Sequence, residues 1–526
     1  MDSQALQQVI QKFDRKQISI LSTAVLTVAT AWFIRRTIKK SKEFKTGGSR
    51  EIPTPDGQYF YLGHLPLLGD YPGYKVTEWH RQLGPIFRIK AGVQNWVFIG
   101  DPEAAHEIFV SKGSLSSGRP FLTYGNGIHG EGSRGMAFID NNKNWKSART
   151  ASLNMLSPKS VDDLHAVIEK ETRVSVELLI HDYLKTPEEG IDPVNYTRLS
   201  AINFILSTVF GIPGLSSAED PIYKAIAHTM EQHIKLISVV GDMSAYFPVL
   251  SFLDVIFRKE KKMRDFVENE HRPLYRELIK RSRESEQPSL IKKLDSMKDS
   301  LGIDEDNMVV IAIEMMIGGV DTTSFAMAFS LAVICHYPEW QKKMGEEIDN
   351  FVKEKGRMPM YSERTQLPNV LAVLKETVRY RPSGYLGIAH RATEDITYKD
   401  YVIPKDTVLI SNAHTTNADA TFYTEPEKFM PERFMGDTRS LYASSNANIA
   451  NRELFSFGWG RRICPGIYLA ETEMFNWLCQ LFLRCTVEPI ISSTGEKIYP
   501  DIEDCIDLGA VVRPVPYKVR LSERHA

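Results

Sequence analysis

Between residue 141 and about residue 350, apolar side chains recur at three- and four-residue spacing almost without a break, which predicts one helix after another. Within that stretch, residues 306–337 read as a single long helix, and the polar run at 282–300 reads as a surface loop. Upstream, residues 83–101 alternate as two short strands around a turn. Asp101-Pro102-Glu103 then opens a helix, with Asp as cap and Pro at its first position. Seven glycines in the 23 residues 113–135 predict a mobile loop, because glycine is costly inside a helix. Past residue 380, strands and irregular segments take over until a helix returns at 466–483. With no internal repeat, the pattern predicts a mainly α fold with small β-sheets, an α+β arrangement.

One apolar run stands apart. Residues 18–34 are seventeen consecutive uncharged positions, and as a helix they span about 26 Å, close to the ~27 Å core of the endoplasmic reticulum bilayer. Lys12, Arg15 and Lys16 precede the run, and Arg35, Arg36, Lys39, Lys40, Lys42, Lys45 and Arg50 follow it. The heavier basic flank belongs on the cytoplasmic side. The expected organisation is a lumenal segment at 1–17, a transmembrane anchor at 18–34, a basic and proline-containing linker at 35–56, and a cytoplasmic catalytic body at 57–526. A cleaved signal peptide fits less well, because no small-residue cleavage site precedes Arg35-Arg36. Residues 52–55, Ile-Pro-Thr-Pro, read as a stiff spacer between anchor and body.

Composition adds exclusions. The 526 residues carry 64 Lys+Arg against 66 Asp+Glu, a net charge of −2, which gives no sign of a nucleic-acid binder. The first fifty residues hold +7 of local charge, so the remainder is mildly acidic. Five cysteines, odd in number and mostly late in the chain, make no disulfide framework and suit a reducing compartment.

Cys464 is the exception among them. It lies in Phe455-Ser-Phe-Gly-Trp-Gly-Arg-Arg-Ile-Cys-Pro-Gly, which contains F-x-x-G-x-R-x-C-x-G: Phe457, Gly460, Arg462, Cys464 and Gly466. A cysteine just before an apolar helix has its thiolate favoured by the helix N-terminus. The glycines allow a tight turn against a flat partner, Phe457 can shield sulfur from water, and Arg462 can reach an acidic group. Zinc is unattractive because no second Cys or His sits nearby at ligand spacing. A lone thiolate with aromatic cover and a basic clamp suits a haem iron.

On these residues the sequence resembles the cytochrome P450 family, and specifically its membrane-bound, microsomal fungal type, from about residue 51 to 520. The resemblance implies that family's mostly helical fold, a protohaem IX with Cys464 as the axial iron ligand, and monooxygenation. Gly318-Gly319-Val320-Asp321-Thr322 predicts a groove in the long helix, and a carboxylate beside a hydroxyl there is costly unless used. The resemblance makes this the oxygen-binding signature, with Thr322 handling bound oxygen and Asp321 relaying protons. An alternative from the residues alone is helix packing at the glycines and a buried ion pair at Asp321.

Glu376 and Arg379 sit three apart on one helix face, and Pro431-Glu432-Arg433-Phe434 follows about fifty residues later. The resemblance implies a structural network of Glu376, Arg379 and Arg433. It also implies haem-propionate contacts from Trp145, Arg149 and Arg391 together with Arg462, whereas His390 carries no expectation. Family position places Tyr124, Met315, Met316, Leu386, Ile388 and Leu508 in the substrate pocket. Electrons would come from a membrane-bound NADPH–cytochrome P450 reductase, docked through Lys143, Lys146 and Arg461, with cytochrome b5 as a second donor. The expected substrate is a lipophilic small molecule: a steroid, fatty acid, terpenoid or xenobiotic. Two alternatives stand beside this: a haem-thiolate isomerase or dehydratase that needs no O2, and a non-catalytic membrane haem-binding protein.

Overall fold

The longest apolar segment of the body forms one helix, Glu305–Ile334, in the computed structural model, which describes residues 50–238 and 240–524. The Asp304 side chain caps it by accepting the Asn307 amide at 2.6 Å. Its apolar residues run around the whole circumference instead of along one stripe, so the helix must be covered on every side. Its most apolar window is hydrophobic enough to cross a membrane, yet 78% of that window is buried inside the protein, which makes it the central core helix. The anchor expected at 18–34, with the segments 1–17 and most of 35–56, lies outside the described residues.

Eleven helices of twelve residues or more surround or include this axis among the described residues. The first six are α1 (Pro72–Leu83), α2 (Lys143–Met155), α3 (His165–Tyr183), α4 (Val194–Val209), α5 (Pro221–Ile237) and α6 (Arg272–Glu284). The others are α7 (Leu290–Leu301), α8 (Glu305–Ile334), α9 (Pro338–Lys355), α10 (Pro368–Tyr380) and α11 (Ile467–Arg484). Helix α4 packs along α8, and Gly319 makes this possible: a Cβ there would come within 2.6 Å of Ile205 Cδ1.

The strands are short and peripheral. β1 (Ile86–Ala91) and β2 (Gln94–Ile99) form a hairpin with Ile86 opposite Ile99. Between them Gly92 takes a φ of 60°, where a Cβ would strike the Tyr246 carbonyl at 2.1 Å. After β3 (His390–Arg391), the hairpin of β4 (Ile396–Tyr398) and β5 (Tyr401–Ile403) leads to β6 (Val408–Ser411). β6 pairs parallel with β2 and antiparallel with β3. This sheet ties the start of the body to its last third and sets β3 beside the cavity described below. Small antiparallel pairings close the C-terminal end.

Three expectations are corrected. The glycine-rich stretch at 113–135 is not a mobile loop throughout: Gly113–Ser116 is helical and Thr123–His129 is a wide π-type turn with Tyr124, Asn126, Ile128 and His129 buried. Tertiary contacts override glycine's poor propensity, since Asn126 Oδ1 accepts the Leu122 amide at 2.7 Å and Asp242 accepts the Thr123 amide at 2.6 Å. The run at 282–300 is mostly helix: only 285–289 is non-helical, Ser289 caps α7, and Leu290, Ile291 and Leu294 are buried. Residues 52–55 are no free spacer either. Ile52 is buried, the Pro53 carbonyl accepts the Arg88 amide at 2.8 Å, and Thr54 accepts from the Arg88 side chain at 3.0 Å.

Helix α11 holds a stability switch. Glu471 is wholly buried, accepts the Leu441 amide, and is pushed by burial from 4.5 up to about 8 against that hydrogen bond. A carboxyl that holds its proton more tightly when folded stabilises the fold fully below its unfolded pKa of 4.5. That contribution is lost as pH rises through about 8. Stability measured by thermal or denaturant unfolding therefore carries a declining component between these values. Glu471→Gln removes it, a change in slope of up to about 1.4 kcal/mol per pH unit. An unchanged slope in the variant would show that Glu471 is ionised throughout.

Candidate functional site

Cys464 ends the loop that delivers the chain into α11. Gly460, at φ 55°, lies so close to Phe109 that a Cβ would meet its carbonyl oxygen at 2.2 Å. Gly458 is likewise left-handed, and the Cys464 amide closes the turn onto the Phe457 carbonyl at 2.9 Å. The loop aims the Cys464 side chain into a cavity of about 400 Å³ that is mostly apolar, with Phe457 and Gly466 beside it. Burial pushes the Cys464 thiol up, opposed by the Gly466 amide and the Arg149 charge. The helix N-terminus reaches the sulfur through the Gly466 amide, and desolvation outweighs that help.

One corner of the cavity is cationic. Arg119, Arg149 and Arg462 all line it, and among the described residues none of them makes an ion pair. Arg462 stacks over the Trp145 ring at 4.4 Å and donates to the carbonyls of Ser117, Met136 and Ile139. Trp145 donates its indole N–H to Met136 at 3.1 Å, and Arg149 reaches the Ile463 carbonyl. Burial lowers all three guanidiniums, Arg462 to about 10 and Arg119 well below its usual value, with the Arg462 charge further lowering Arg119. The charges of Glu314 and Asp140 offset part of this clustering, and a ligand carrying carboxylates relieves more of its cost. A flat group with a soft axial ligand and two carboxylates fits these residues.

Opposite lies α8. Gly318 has open space where a Cβ would be, whereas Gly319 is filled by Ile205; Gly318 widens the cavity and Gly319 seats a helix. Thr322 lines the cavity and donates its hydroxyl to the Gly318 carbonyl at 2.6 Å. Asp321 does not line it. Its carboxylate is buried and pairs with Arg198 of α4 at 3.0 Å, and burial raises it against that charge.

Glu376, wholly buried on α10, receives Arg379 at 2.7 and 2.8 Å, Arg433 at 3.1 Å and the Met430 amide at 2.7 Å. Arg379 spends its remaining donors on the carbonyls of Asn417, Pro426 and Lys428.

The structure gathers Trp145, Arg149, Phe457, Arg462, Cys464, Gly466, Thr322, Leu386 and Ile388 around one cavity. It leaves six expected residues out: Asp321, described above, and five more. Arg391 turns to Asp140 and Asp406, each at 2.8 Å, because neighbours on a strand face opposite ways; His390 lines the cavity in its place. His390 donates its Nδ1–H to the Ser116 carbonyl at 2.9 Å and packs edge-on to Phe109. Met316 is buried away from the cavity, and Met315 lines it. Leu508 is 37% exposed and outside the cavity, and Ala510 lines instead. Tyr124 sits in a separate buried cluster with His129, His233 and His271, whose imidazoles burial pushes down, His129 to about 3. Gly460 shapes the turn without touching the cavity. Arg119 and Glu314 are lining residues that sequence reasoning missed. No local motif marks Arg119, and Glu314 was signalled only by a carboxylate in an apolar helix, one turn before Gly318.

A cavity floored by one thiol, with buried cations at its edge and a hydroxyl-bearing groove above, defines the haem-thiolate class of oxygenases. The cytochrome P450 family model matches residues 53–521, and the chain belongs to that family. It is similar to cytochrome P450 monooxygenase 58 of Postia placenta, 28% identical over 93% of this chain and 90% of the relative. It is also similar to cytochrome P450 monooxygenase CYP3 of Mycosarcoma maydis, 26% identical over 96% and 93%. Among solved structures, a zebrafish cytochrome P450 with progesterone shares the fold at a TM-score of 0.69 and 22% identity, covering 86% of this chain and 99% of that one. The protein is a haem-dependent monooxygenase of the oxidoreductase class, and its family takes electrons from a redox partner.

Proposed function

We propose that this chain hydroxylates a lipophilic small molecule, a steroid, fatty acid, terpenoid or xenobiotic, with electrons from a membrane-bound NADPH–cytochrome P450 reductase. The observation that carries the reading is the mostly apolar cavity of about 400 Å³ with the Cys464 thiol at its floor. Cys464 would hold the haem iron, and Trp145, Arg149, Arg462, Arg119 and His390 would surround its carboxylate edge. The bound haem supplies reductive activation of O2, favoured by thiolate donation. Leu386, Ile388, Met315 and Ala510 shape an apolar surface for the substrate and keep water from it. Thr322 presents the only side-chain hydroxyl of the Gly318–Thr322 groove and positions a proton there; Asp321 acts from behind, through its pair with Arg198.

An exposed apolar surface supports attachment to the endoplasmic reticulum membrane by the 18–34 segment. Phe60, Val255, Ile256 and Phe257 are each at least 61% exposed, and Tyr61 packs on Phe247 to bring the two stretches together. Lys143, Lys146 and Arg461 are exposed beside cavity-lining Trp145 and Arg462, which supports reductase docking on that face, with cytochrome b5 as a second donor. Turnover with reductase should fall as ionic strength rises; a flat salt profile would remove these three from docking.

The test is NADPH consumption with reductase over a panel of steroids, fatty acids, terpenoids and aromatic xenobiotics, with product analysis by mass spectrometry. An oxygenated product carrying label from 18O2 supports the reading, whereas rearranged or dehydrated products formed without NADPH overturn it. Thr322→Ala should keep NADPH oxidation within a few-fold of wild type while product falls by about 10- to 100-fold and hydrogen peroxide rises. Equal loss of both rates would mean that Thr322 only supports packing.

A further inference from the structure

Away from the haem cavity, three histidines meet inside the protein. We propose that His129, His233 and His271 bind one Zn2+ ion, joining the Thr123–His129 turn, α5 and the Val267–His271 segment. One ring nitrogen from each lies within 4.8 Å of the others, and all three residues are at most 1% exposed. The ring centroids form a triangle of 4.9, 5.5 and 5.8 Å. Tetrahedral zinc with Zn–N bonds of about 2.0–2.1 Å places imidazole centroids about 5.2 Å apart, so small side-chain shifts complete the site.

The hydrogen bonding points the same way. Among the described residues, both ring nitrogens of His129 and Nε2 of His271 are buried with no partner, which neutral imidazoles in a dry core do not tolerate without cost. Tyr124 Oη lies 3.0 Å from His233 Nδ1 and 3.4 Å from His271 Nδ1. With those Nδ1 protons on the tyrosine oxygen, Nε2 of both rings carries the lone pair, the arrangement in which an outer partner fixes the tautomer of a metal-binding histidine. Phe138, Phe266 and Tyr275 pack around the rings and exclude water. The nearest cation, Arg272, is held by Glu131 and the His129 carbonyl. Phe138 adjoins cavity-lining Ala137, so the ion would stiffen one wall of the substrate cavity without entering it.

The experiment uses the full-length holoenzyme, purified without a polyhistidine tag. Zinc and iron are counted by mass spectrometry after chelator dialysis and reloading with Zn2+ alone. The expected result is one zinc for each haem iron, with a zinc-edge X-ray absorption spectrum showing imidazole nitrogens at about 2.0–2.1 Å. His129→Phe keeps the aromatic stack on Tyr124 and should weaken zinc affinity at least about 100-fold while the haem spectrum persists. Wild-type protein that takes up no zinc, zinc retained in full by His129→Phe, or an absorption spectrum with a sulfur shell would each overturn the site. If His129→Phe does not fold, the wild-type stoichiometry and absorption spectrum decide alone.

Discussion

Replacing Cys464 with serine abolishes the thiolate-type carbon monoxide difference spectrum of the reduced protein and reduces product formation to background. The site pushes even a thiol up through burial, and an alcohol ionises far less readily than a thiol, so a serine there stays neutral. The swap changes little else, because the turn is closed by the backbone bond from residue 464 to Phe457 and by Gly460. The loss should therefore be electronic, with a folded protein and an altered haem spectrum. Cys335, Cys479, Cys485 and Cys505 are buried away from the cavity, and serine at Cys505, the simplest control, leaves the thiolate spectrum intact. A Cys464→Ser protein that kept that spectrum would place the iron on another ligand.

Glu376→Ala removes the centre of the buried ion network and destabilises the fold by about 3–5 kcal/mol, a large share of the 5–15 kcal/mol typical of a whole domain. The magnitude follows from what remains: Arg379, almost fully buried, and Arg433 both lose their only carboxylate, and the Met430 amide loses its acceptor. Glu376→Gln should be nearly as damaging, since half of the amide would turn a donor toward a guanidinium. Denaturant unfolding followed by loss of haem absorbance measures this, and a cost under about 1 kcal/mol for Glu376→Ala would reduce the network to an ordinary surface pair. Because Glu376 does not line the cavity, surviving folded enzyme should retain the wild-type product pattern.

Much of the site was legible because its chemistry is local. The loop around Cys464 needs glycines at fixed offsets, and α8 needs small residues and a hydroxyl on one face; both conditions are written in consecutive residues. Long periodic helices were equally readable, since the 3.6-residue repeat of burial is a property of each segment. What failed was orientation. His390 and Arg391 differ by one position, and only the pairing of β3 with β6 decides which faces the cavity. Met315 and Met316 are separated by the roughly 100° turn between successive helical residues, and only the packing of α8 decides which one meets the cavity. Asp321 turned out to face Arg198, a residue more than a hundred positions away whose proximity no local pattern announces.

The sequence by itself determined the helical character of the body, the cysteine loop, the glycine groove and the family resemblance they carry, because each depends on residues close together along the chain. Only the tertiary structure decided that Thr123–His129 folds into a buried turn, that Arg119 joins Arg149 and Arg462, and that three distant histidines converge. Those outcomes rest on long-range packing, where the free energy of burying a side chain against a remote partner outweighs the local preference of the residues around it.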